Sequence, residues 1–237
     1  MKAVVLAGGL GTRLGHITAN MPKPMAPVGG IPFLEYVLDH LVRGGVDEIV
    51  LAVSYKWEQI QDYFGQTYKD VLLEYSIEDV PLGTGGAIRQ AVERVAGEDI
   101  VIVNGDTLFP VDIGVMFEQH KTAGALLTVA VRKVNDTGRF GRLVIDGDRT
   151  ITAFLEKGGR GPGFINGGVY VLNRAVFSLA RLPDHFSFET DLVEAELDKI
   201  HPLAFPSDSY FIDIGIPADY QRAEREVKFG KGAGTVS

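Results

Sequence analysis

The sequence predicts an α/β fold in which a mixed, mostly parallel central sheet is flanked by helices, with extra β structure in the second half. Two observations predict it. Short apolar runs alternate with amphipathic segments over the first half, at roughly 20 to 30 residues per unit, which is typical of parallel strands joined by helices. After Gly124, further apolar runs follow one another with only turns between them. The second half is therefore expected to add strands to the same sheet.

The elements of the first half follow from apolar runs and helical spacing. A buried strand is predicted at Lys2–Leu6, a short run rich in Val and Leu. Apolar residues from Leu34 to Val42 recur at the i, i+3, i+4, i+7 and i+8 spacing of a helix that faces a core, and Gly44 ends that helix. The other elements predicted here are strands at Ile49–Val53, Val71–Ser76 and Asp99–Val103 and helices at Trp57–Phe64 and around Ile88–Val95.

The second half is predicted to be richer in strands than the first. Its strand-like runs are Ala125–Lys133, Arg142–Ile145, Ile151–Leu155 and Phe164–Leu172. They are followed by a helix around Thr190–Ile200, a strand at Tyr210–Ile214 and a helix from Pro217. Because no repeat and no linker interrupts the chain, we expect one domain over residues 1–229, made of two halves that meet near residue 110. Residues 230–237 have little apolar surface to bury and are predicted to form a disordered tail.

Composition and charge exclude several classes of protein. The 237 residues carry a net charge of −8 and contain no cysteine. Disulfides, thiolate nucleophiles and cysteine-ligated zinc are therefore excluded. Nucleic acid and membrane surfaces favour basic proteins and are not expected as partners. The sequence shows neither a secretory leader nor a membrane-spanning run, so a cytoplasmic protein is predicted.

The N-terminal stretch MKAVVLAGGLGTRL places a glycine-rich loop directly after the first strand. The loop lacks the Lys-Ser/Thr pair of a Walker P-loop, and Leu14 stands where the dinucleotide fingerprint needs its third glycine. What remains is a turn whose backbone N–H groups can bind phosphates, with Arg13 as a fixed cation. A plain glycine turn is the alternative, but Arg13 together with Lys23 favours polyphosphate binding.

Lys23 stands between Pro22 and Pro24. Two prolines exclude a helix interior, so we expect the lysine on a stiff extended segment. A cation held rigidly near transferring phosphates stabilises the charge that builds up in the reaction. The alternative is a solvated lysine at the surface.

Two carboxylates form a candidate metal pair. Asp106 follows the strand that ends at Val103, and open α/β sheets bind ligands beyond the carboxyl ends of their strands. Asp213 has apolar neighbours on both sides, where carboxylates are rare unless they are paired or bound to a metal. Mg²⁺ takes one or two carboxylates and completes its shell with water and substrate phosphates. We therefore predict Mg²⁺ at Asp106 and Asp213, with a plain turn aspartate as the alternative for Asp106.

Further polar residues suggest a base site and a sugar site. Glu78, at the end of a strand, could accept from the N1–H and the exocyclic amine of guanine, although an exposed glutamate is the alternative. The turn Leu82–Gly86 opens a helix and suits close packing of a flat ligand against the backbone. In the second half, Glu156 and Asn166 can bond sugar hydroxyls and Lys157 can bind a phosphate.

Taken together, these segments resemble the sugar-1-phosphate nucleotidyltransferases over roughly residues 1–229. The segments that carry the resemblance are Leu6–Leu14, Pro22–Met25, Leu82–Ala87, Gly105–Asp106, Glu156–Lys157, Asn166–Gly168 and Asp213. Within the family, the chain most resembles the guanylyltransferases of D-glycero-α-D-manno-heptose 1-phosphate. The segments that resemble this branch are Ala52–Lys56, Leu82–Ala87, Phe186–Glu189 and Tyr210–Gly215.

The resemblance implies a Rossmann-like nucleotidyltransferase fold and a reaction. The nucleotide binds to the half up to about residue 110 and the sugar to the half from about residue 111. An NTP, in this branch GTP, reacts with a sugar 1-phosphate to give an NDP-sugar and pyrophosphate, with Mg²⁺ as cofactor. The implied catalytic residues are Arg13, Lys23 and Asp106, and the implied metal ligands are Asp106 and Asp213. The implied nucleotide-binding residues are Leu6, Ala7, Gly8, Gly9, Gly11, Thr12, Arg13, Glu78, Gly83 and Thr84. The implied sugar-phosphate ligands are Asn104, Glu156, Lys157, Asn166 and Gly168.

Three alternatives to a heptose guanylyltransferase stay open. Two are enzymes of the same class, a mannose-1-phosphate guanylyltransferase and a hexose-1-phosphate uridylyltransferase. The third is a non-catalytic regulator that binds sugar nucleotides. Such a regulator is expected to have lost its phosphate and metal ligands, whereas the implied ones are all present, which favours an enzyme. The sequence leaves open whether the chain forms a homo-oligomer.

Overall fold

The computed structural model describes residues 1–9, 14–15, 18, 20–155 and 161–227. The strands are β1 (Lys2–Leu6), β2 (Pro27–Val28), β3 (Ile31–Pro32), β4 (Glu48–Val53), β5 (Thr67–Tyr68), β6 (Val71–Ile77), β7 (Asp99–Asn104), β8 (Thr107–Leu108), β9 (Leu127–Val134), β10 (Arg142–Ile145), β11 (Ile151–Leu155), β12 (Gly163–Asn173), β13 (Leu203–Pro206) and β14 (Ile212–Asp213). The helices are α1 (Phe33–Arg43), α2 (Trp57–Phe64), α3 (Gly83–Val92), α4 (Ile113–Ala123), α5 (Leu197–Ile200) and α6 (Pro217–Glu226). Shorter helical segments are the 3-10 turns Lys23–Met25 and Arg174–Ser178 and the π-helix Phe188–Glu194.

One large mixed sheet forms the centre of the described structure. Its main path runs β11-β10-β12-β7-β1-β4-β6-β5, and β9 and β13 extend it from β12. The strands β7, β1, β4 and β6 are parallel, whereas β12 runs antiparallel to β7, β9 and β10. The predicted sheet, parallel in the first half with extra β structure in the second, is confirmed.

The parallel strands are buried on both faces. In β1, Val5 packs in one apolar cluster with Leu34 of α1, and the next residue along, Val4, packs in a second cluster with Ile88 of α3. Side chains of a strand alternate between the two faces, and helices cover both, so the strand is an unbroken apolar run. Because the strands are buried, their carboxyl ends have fixed positions. The candidate site is formed by the residues that follow these ends.

Some elements differ from the sequence prediction. The predicted helix around Thr190–Ile200 is two segments, the π-helix from Phe188 and the short α5. The predicted strand Tyr210–Ile214 is limited to β14, which pairs with β8 rather than with the large sheet. The prediction missed α4 and β13. In α4 the buried residues are Ile113, Met116 and His120, so a histidine occupies a core-facing position and breaks the apolar spacing.

The described residues contain no helix that is both long and apolar enough to cross a membrane.

Candidate active site

A cavity of about 370 Å³ opens at the carboxyl ends of the parallel strands. This edge is where open α/β sheets bind their ligands. The lining residues come from loops that follow β1, β4, β6 and β7, from the start of α3 and from the π-helix. They are Leu6, Gly8, Gly9, Lys23, Pro24, Ser54, Glu78, Pro81, Gly83, Thr84, Ala87, Asn104, Asp106 and Glu189. A larger cavity of about 580 Å³, between α4 and β13, is lined by none of the predicted site residues that the structure describes.

The loop after β1 passes against Ser54 and Glu78. A Cβ atom at Gly8 would lie 3.1 Å from Glu78 Oε1 and 3.2 Å from Ser54 Cβ, so a larger residue would press on both. Ala7, by contrast, is fully buried, and its N–H donates to Ala52 O at 2.8 Å. Its side chain therefore belongs to the core rather than to the cavity wall.

Five predicted site residues lie outside the described residues. They are Gly11, Thr12, Arg13, Glu156 and Lys157. Their predicted roles stay predictions.

Glu78 is half-buried in the wall of the cavity. Its Oε2 accepts a hydrogen bond from the Leu82 N–H at 2.9 Å, while Oε1 faces the backbone of Gly8. Burial raises the pKa of this carboxyl above its ordinary value, and the Leu82 N–H opposes that shift because it stabilises the charged form. Glu78 thus has one oxygen already fixed and the other facing the loop.

The glycines at the start of α3 permit close contact with the segment before the π-helix. A Cβ atom at Gly83 would lie 2.5 Å from Phe186 O, and one at Gly85 would lie 2.1 Å from Phe186 Cε2. Two backbone hydrogen bonds, from Gly85 N to Phe186 O and from Phe186 N to Leu82 O, join the same segments. These glycines are therefore needed for packing between parts of the protein, and they do not by themselves indicate a bound ligand.

Lys23 enters the site from a 3-10 turn, so the prediction of an extended segment is wrong at this residue. Pro22 is extended, with φ −60° and ψ 145°, but Met25 N–H donates to Pro22 O and Ala26 N–H donates to Lys23 O. Proline is tolerated at the start of a helical turn because the first N–H groups have no partner within the turn. Pro24 therefore fits this turn instead of preventing it.

The Lys23 ammonium group lies between two carboxylates. It contacts Asp106 Oδ2 directly, and it lies 3.8 Å from Asp213 Oδ1. Lys23 is buried, whereas the two aspartate side chains stay partly exposed; Asp106 lines the cavity and Asp213 does not. The predicted convergence of the two carboxylates is thus present in the structure, and a lysine predicted independently stands between them.

Asp213 is held from its other side by the backbone and by Arg139. Its Oδ1 accepts from the Gly215 N–H at 2.6 Å, and its Oδ2 accepts from Arg139 Nη2 at 3.3 Å. Arg139 also contacts Asp219 of α6. These contacts fix the orientation of the Asp213 carboxylate.

A β-bulge brings the Asn166–Gly168 segment to the cavity. The register between β12 and β9 shifts between Asn166 and Tyr170, where β12 has extra residues, and Gly168 has φ +71°. A Cβ atom at Gly168 would lie 2.8 Å from Asn104 Nδ2, so glycine is required both for the conformation and for the close approach. Asn166 and Gly168 therefore stand next to the cavity wall without lining it.

Sequence reasoning missed several residues at this site. Ser54, Pro81 and Glu189 line the cavity, and Arg139 contacts the carboxylate of Asp213. Glu189 stood in a segment that resembled the heptose branch but had no assigned role. Its local signal is weaker than that of Asp213, because Glu189 follows the buried Phe188 but precedes a threonine, whereas Asp213 has apolar neighbours on both sides.

The fold and the site define a class of protein. An open, mostly parallel sheet with a cavity at its carboxyl ends and a buried cation between two carboxylates is suited to an enzyme that acts on phosphorylated ligands. The family follows from comparison with known proteins. The family model described as nucleotidyl transferase matches residues 2–229, and the chain belongs to this family.

Individual relatives cover nearly the whole chain. D-glycero-alpha-D-manno-heptose 1-phosphate guanylyltransferase of Aneurinibacillus thermoaerophilus is 46% identical over 228 residues, covering 96% of this chain and 99% of the relative. The protein of the same name from Campylobacter jejuni is 41% identical over 220 residues, covering 93% and 97%. The crystal structure of HddC from Yersinia pseudotuberculosis complexed with GMP-PN has a TM-score of 0.84 and 37% identity, covering 96% of this chain and 99% of that one. The predicted Rossmann-like nucleotidyltransferase fold is confirmed.

Proposed function

We propose that this protein transfers GMP from GTP to D-glycero-α-D-manno-heptose 1-phosphate, giving the GDP-heptose and pyrophosphate. The names of two relatives that match almost the full length of the chain state this activity, and a solved structure of the same fold holds GMP-PN. One observation within the molecule carries the proposal. The buried ammonium of Lys23 contacts Asp106 in the cavity wall and lies 3.8 Å from Asp213.

The proposed reaction is an in-line displacement at phosphorus. An oxygen of the sugar phosphate attacks the α-phosphorus of GTP, the bond from that phosphorus to the bridging oxygen breaks, and pyrophosphate leaves with the electron pair. The attacking phosphate is already ionised, so no side chain has to remove a proton. Catalysis then consists of positioning and charge stabilisation. Lys23 supplies a positive charge at a fixed place, and Arg13 is proposed to bind the leaving pyrophosphate.

Asp106 and Asp213 are proposed to hold Mg²⁺. The pair fits a cation, because the two carboxylates converge near one point, the Lys23 ammonium, and both side chains remain partly exposed. Within the described residues, no group of three or more acidic or histidine side chains is arranged to hold a metal. Two carboxylates suffice for Mg²⁺, which takes its remaining ligands from water and substrate phosphates. When bound, the ion neutralises charge on the phosphates.

Glu78 is proposed to recognise the guanine base, next to the backbone of Gly8, Gly9 and Gly83. Its Oε1 faces the loop, and among the described residues its Oε2 accepts one hydrogen bond, from Leu82. A carboxylate oxygen can accept two bonds, so both oxygens remain able to accept from the two adjacent donors of guanine. Leu6, Thr84 and the undescribed Gly11 and Thr12 complete the proposed nucleotide site.

The sugar 1-phosphate is proposed to bind where the bulge of β12 meets the end of β7. Asn104, Asn166 and Gly168 stand together there, and Glu156 and Lys157 are proposed to join them. The proposal thus assigns the nucleotide to the first half and the sugar to the second half of a single domain over residues 1–229. A cytoplasmic location, predicted from the sequence, belongs to the same proposal.

Pyrophosphate release tests the proposal directly. The purified protein is assayed with Mg²⁺ and each pair of GTP, UTP or ATP with heptose, mannose or glucose 1-phosphate. We expect the highest kcat/KM for GTP with the heptose 1-phosphate. A preference for UTP would contradict the role of Glu78, and a preference for mannose 1-phosphate would contradict the assigned sugar. No release from any pair would favour a non-catalytic regulator.

A further inference from the structure

Glu189 lies in the wall of the candidate-site cavity and belongs to the second half of the chain. It lines the cavity together with Lys23, Asn104 and Asp106, and it belongs to the first turn of a π-helix. Segments of π-helix are rare and occur frequently at functional sites. The hydrogen bonds that its carboxylate accepts indicate what Glu189 does at this place.

Both oxygens of the Glu189 carboxylate accept hydrogen bonds, one from each half of the molecule. Thr84 Oγ1, in the first turn of α3, donates to Glu189 Oε2 at 3.3 Å. The Tyr170 hydroxyl, on β12, donates to Glu189 Oε1 at 3.0 Å. The carboxylate thus connects a residue of the proposed nucleotide site with the strand that carries the proposed sugar ligands.

The chain of hydrogen bonds continues from Tyr170 to Asn166. The Asn166 amide nitrogen donates to the Tyr170 hydroxyl at 2.7 Å, and the Asn166 amide oxygen accepts from the Gly168 N–H at 2.9 Å. The backbone N–H can only donate, so it determines which end of the Asn166 amide faces it. With one end fixed by Gly168 and the other by Tyr170, the Asn166 side chain has a single orientation.

Tyr170 is suited to fix this orientation. Its side chain is buried, so water cannot replace either of its two hydrogen bonds. Burial raises the pKa of the Tyr170 hydroxyl well above its ordinary value, so the hydroxyl keeps the proton that it donates to Glu189. Tyr170 is the buried member of this network, and its two hydrogen bonds hold the partly exposed side chains of Asn166 and Glu189 on either side of it.

We infer that Glu189, acting through Tyr170, is a positioning residue that fixes Asn166 for binding of the sugar 1-phosphate. This inference rests on the proposed function. Glu189 does not itself contact the reacting phosphates. Its effect is on affinity for the sugar substrate, with a smaller effect on the nucleotide through Thr84.

The test is Tyr170→Phe, which removes the hydroxyl and keeps the ring. The matched control is Tyr36→Phe, because Tyr36 is also buried, on α1, and its hydroxyl donates to Val28 O at 2.9 Å. We expect Tyr170→Phe to raise KM for the sugar 1-phosphate about tenfold, while kcat and KM for GTP change less than about twofold. Tyr36→Phe should leave all three parameters near wild type.

A second pair of variants keeps the inference testable if Tyr170→Phe does not fold. Glu189→Gln keeps an acceptor for Tyr170, whereas Glu189→Ala removes it. We expect KM for the sugar 1-phosphate to rise in Glu189→Ala and to be largely restored in Glu189→Gln. Equal changes in both Michaelis constants, or none, in an active enzyme contradict the inference alone. A wild-type protein without turnover contradicts the proposed function, and the inference with it.

Discussion

The two halves of the molecule hold their site residues by different means. In the first half, Gly8, Glu78 and Asp106 each stand within two residues of the end of a parallel strand, so the sheet itself brings them together. In the second half, Asn166 lies within a long antiparallel strand and Glu189 in a π-helix, and both depend on irregularities of the backbone. A parallel sheet concentrates its loops at one edge, whereas an antiparallel sheet needs a bulge to turn a side chain toward that edge.

The largest expected effect comes from a substitution of a site residue in the first half. Asp106→Asn removes the charge that faces Lys23 and the proposed metal, so kcat/KM for pyrophosphate release should fall at least about a hundredfold, or about 2.7 kcal/mol. The matched control is Asp99→Asn at the opposite end of β7, which should retain turnover. Near-native turnover of Asp106→Asn in Mg²⁺ would falsify the metal assignment.

The contact between the halves can be broken at Gly85. A Cβ atom at this position would lie 2.1 Å from the Phe186 ring, so Gly85→Ala should lower the free energy of unfolding by about 1–3 kcal/mol, measured in urea. Gly147→Ala is the control, because a Cβ atom there meets nothing within 4 Å. Unchanged stability of Gly85→Ala would mean that the halves do not depend on this contact.

A substitution at the proposed base site should change KM for GTP without changing KM for the sugar 1-phosphate. Glu78→Gln keeps an acceptor for the Leu82 N–H but loses the charge that favours guanine, so KM for GTP should rise about tenfold. KM for the sugar 1-phosphate should stay near its wild-type value, because the proposed sugar site, apart from Asn104, lies in the other half. Glu74→Gln on the same strand is the control. A change confined to the sugar KM would contradict the assignment of the halves.

The smallest expected effect is a pH dependence of GTP binding. Burial raises the pKa of Glu78, so on acidification this carboxyl takes up its proton at higher pH than an ordinary glutamate, which titrates near about 4.3. The neutral form cannot accept from both guanine donors, so GTP affinity should fall as the pH is lowered. The effect on folding has the opposite sign, because a raised carboxyl pKa favours the folded state at low pH and opposes it at high pH.

Calorimetry from about pH 7 to about pH 5 tests this dependence. We expect the wild type to lose more GTP affinity than Glu78→Gln over this range, because only the wild type has a carboxyl with a raised pKa at this position. Parallel curves for the two proteins would show that Glu78 does not titrate with the bound base.

Several site residues could be predicted because each is marked by its immediate neighbours in the sequence. The strand that precedes Asp106 is an apolar run, and Lys23 is marked by the prolines on both sides of it. Asp213 was found because a carboxylate stands among apolar residues. The segment at Lys23 was predicted to be extended, but it forms a 3-10 turn. Two prolines exclude a helix interior, yet they permit the start of a helical turn.

The residues that sequence reasoning missed depend on distant contacts. Glu189 is 105 positions from Thr84, to which it is hydrogen-bonded, and no local pattern reports such a pairing. Arg139 is 74 positions from Asp213. The glycines in the first turn of α3 were predicted to suit a ligand, but the space beside Gly83 and Gly85 is filled by Phe186, a residue whose position only the tertiary structure defines.

The close contact of Gly83 and Gly85 with Phe186 has a consequence for protein engineering. A designer who wishes to change the nucleotide preference by grafting residues 78–87 from another enzyme would separate that loop from the segment against which its backbone is packed. The smallest unit that can be exchanged therefore consists of two separate segments, residues 78–87 and residues 184–189. Chimeras that exchange both segments together should express and fold, whereas exchange of the loop alone should yield insoluble protein.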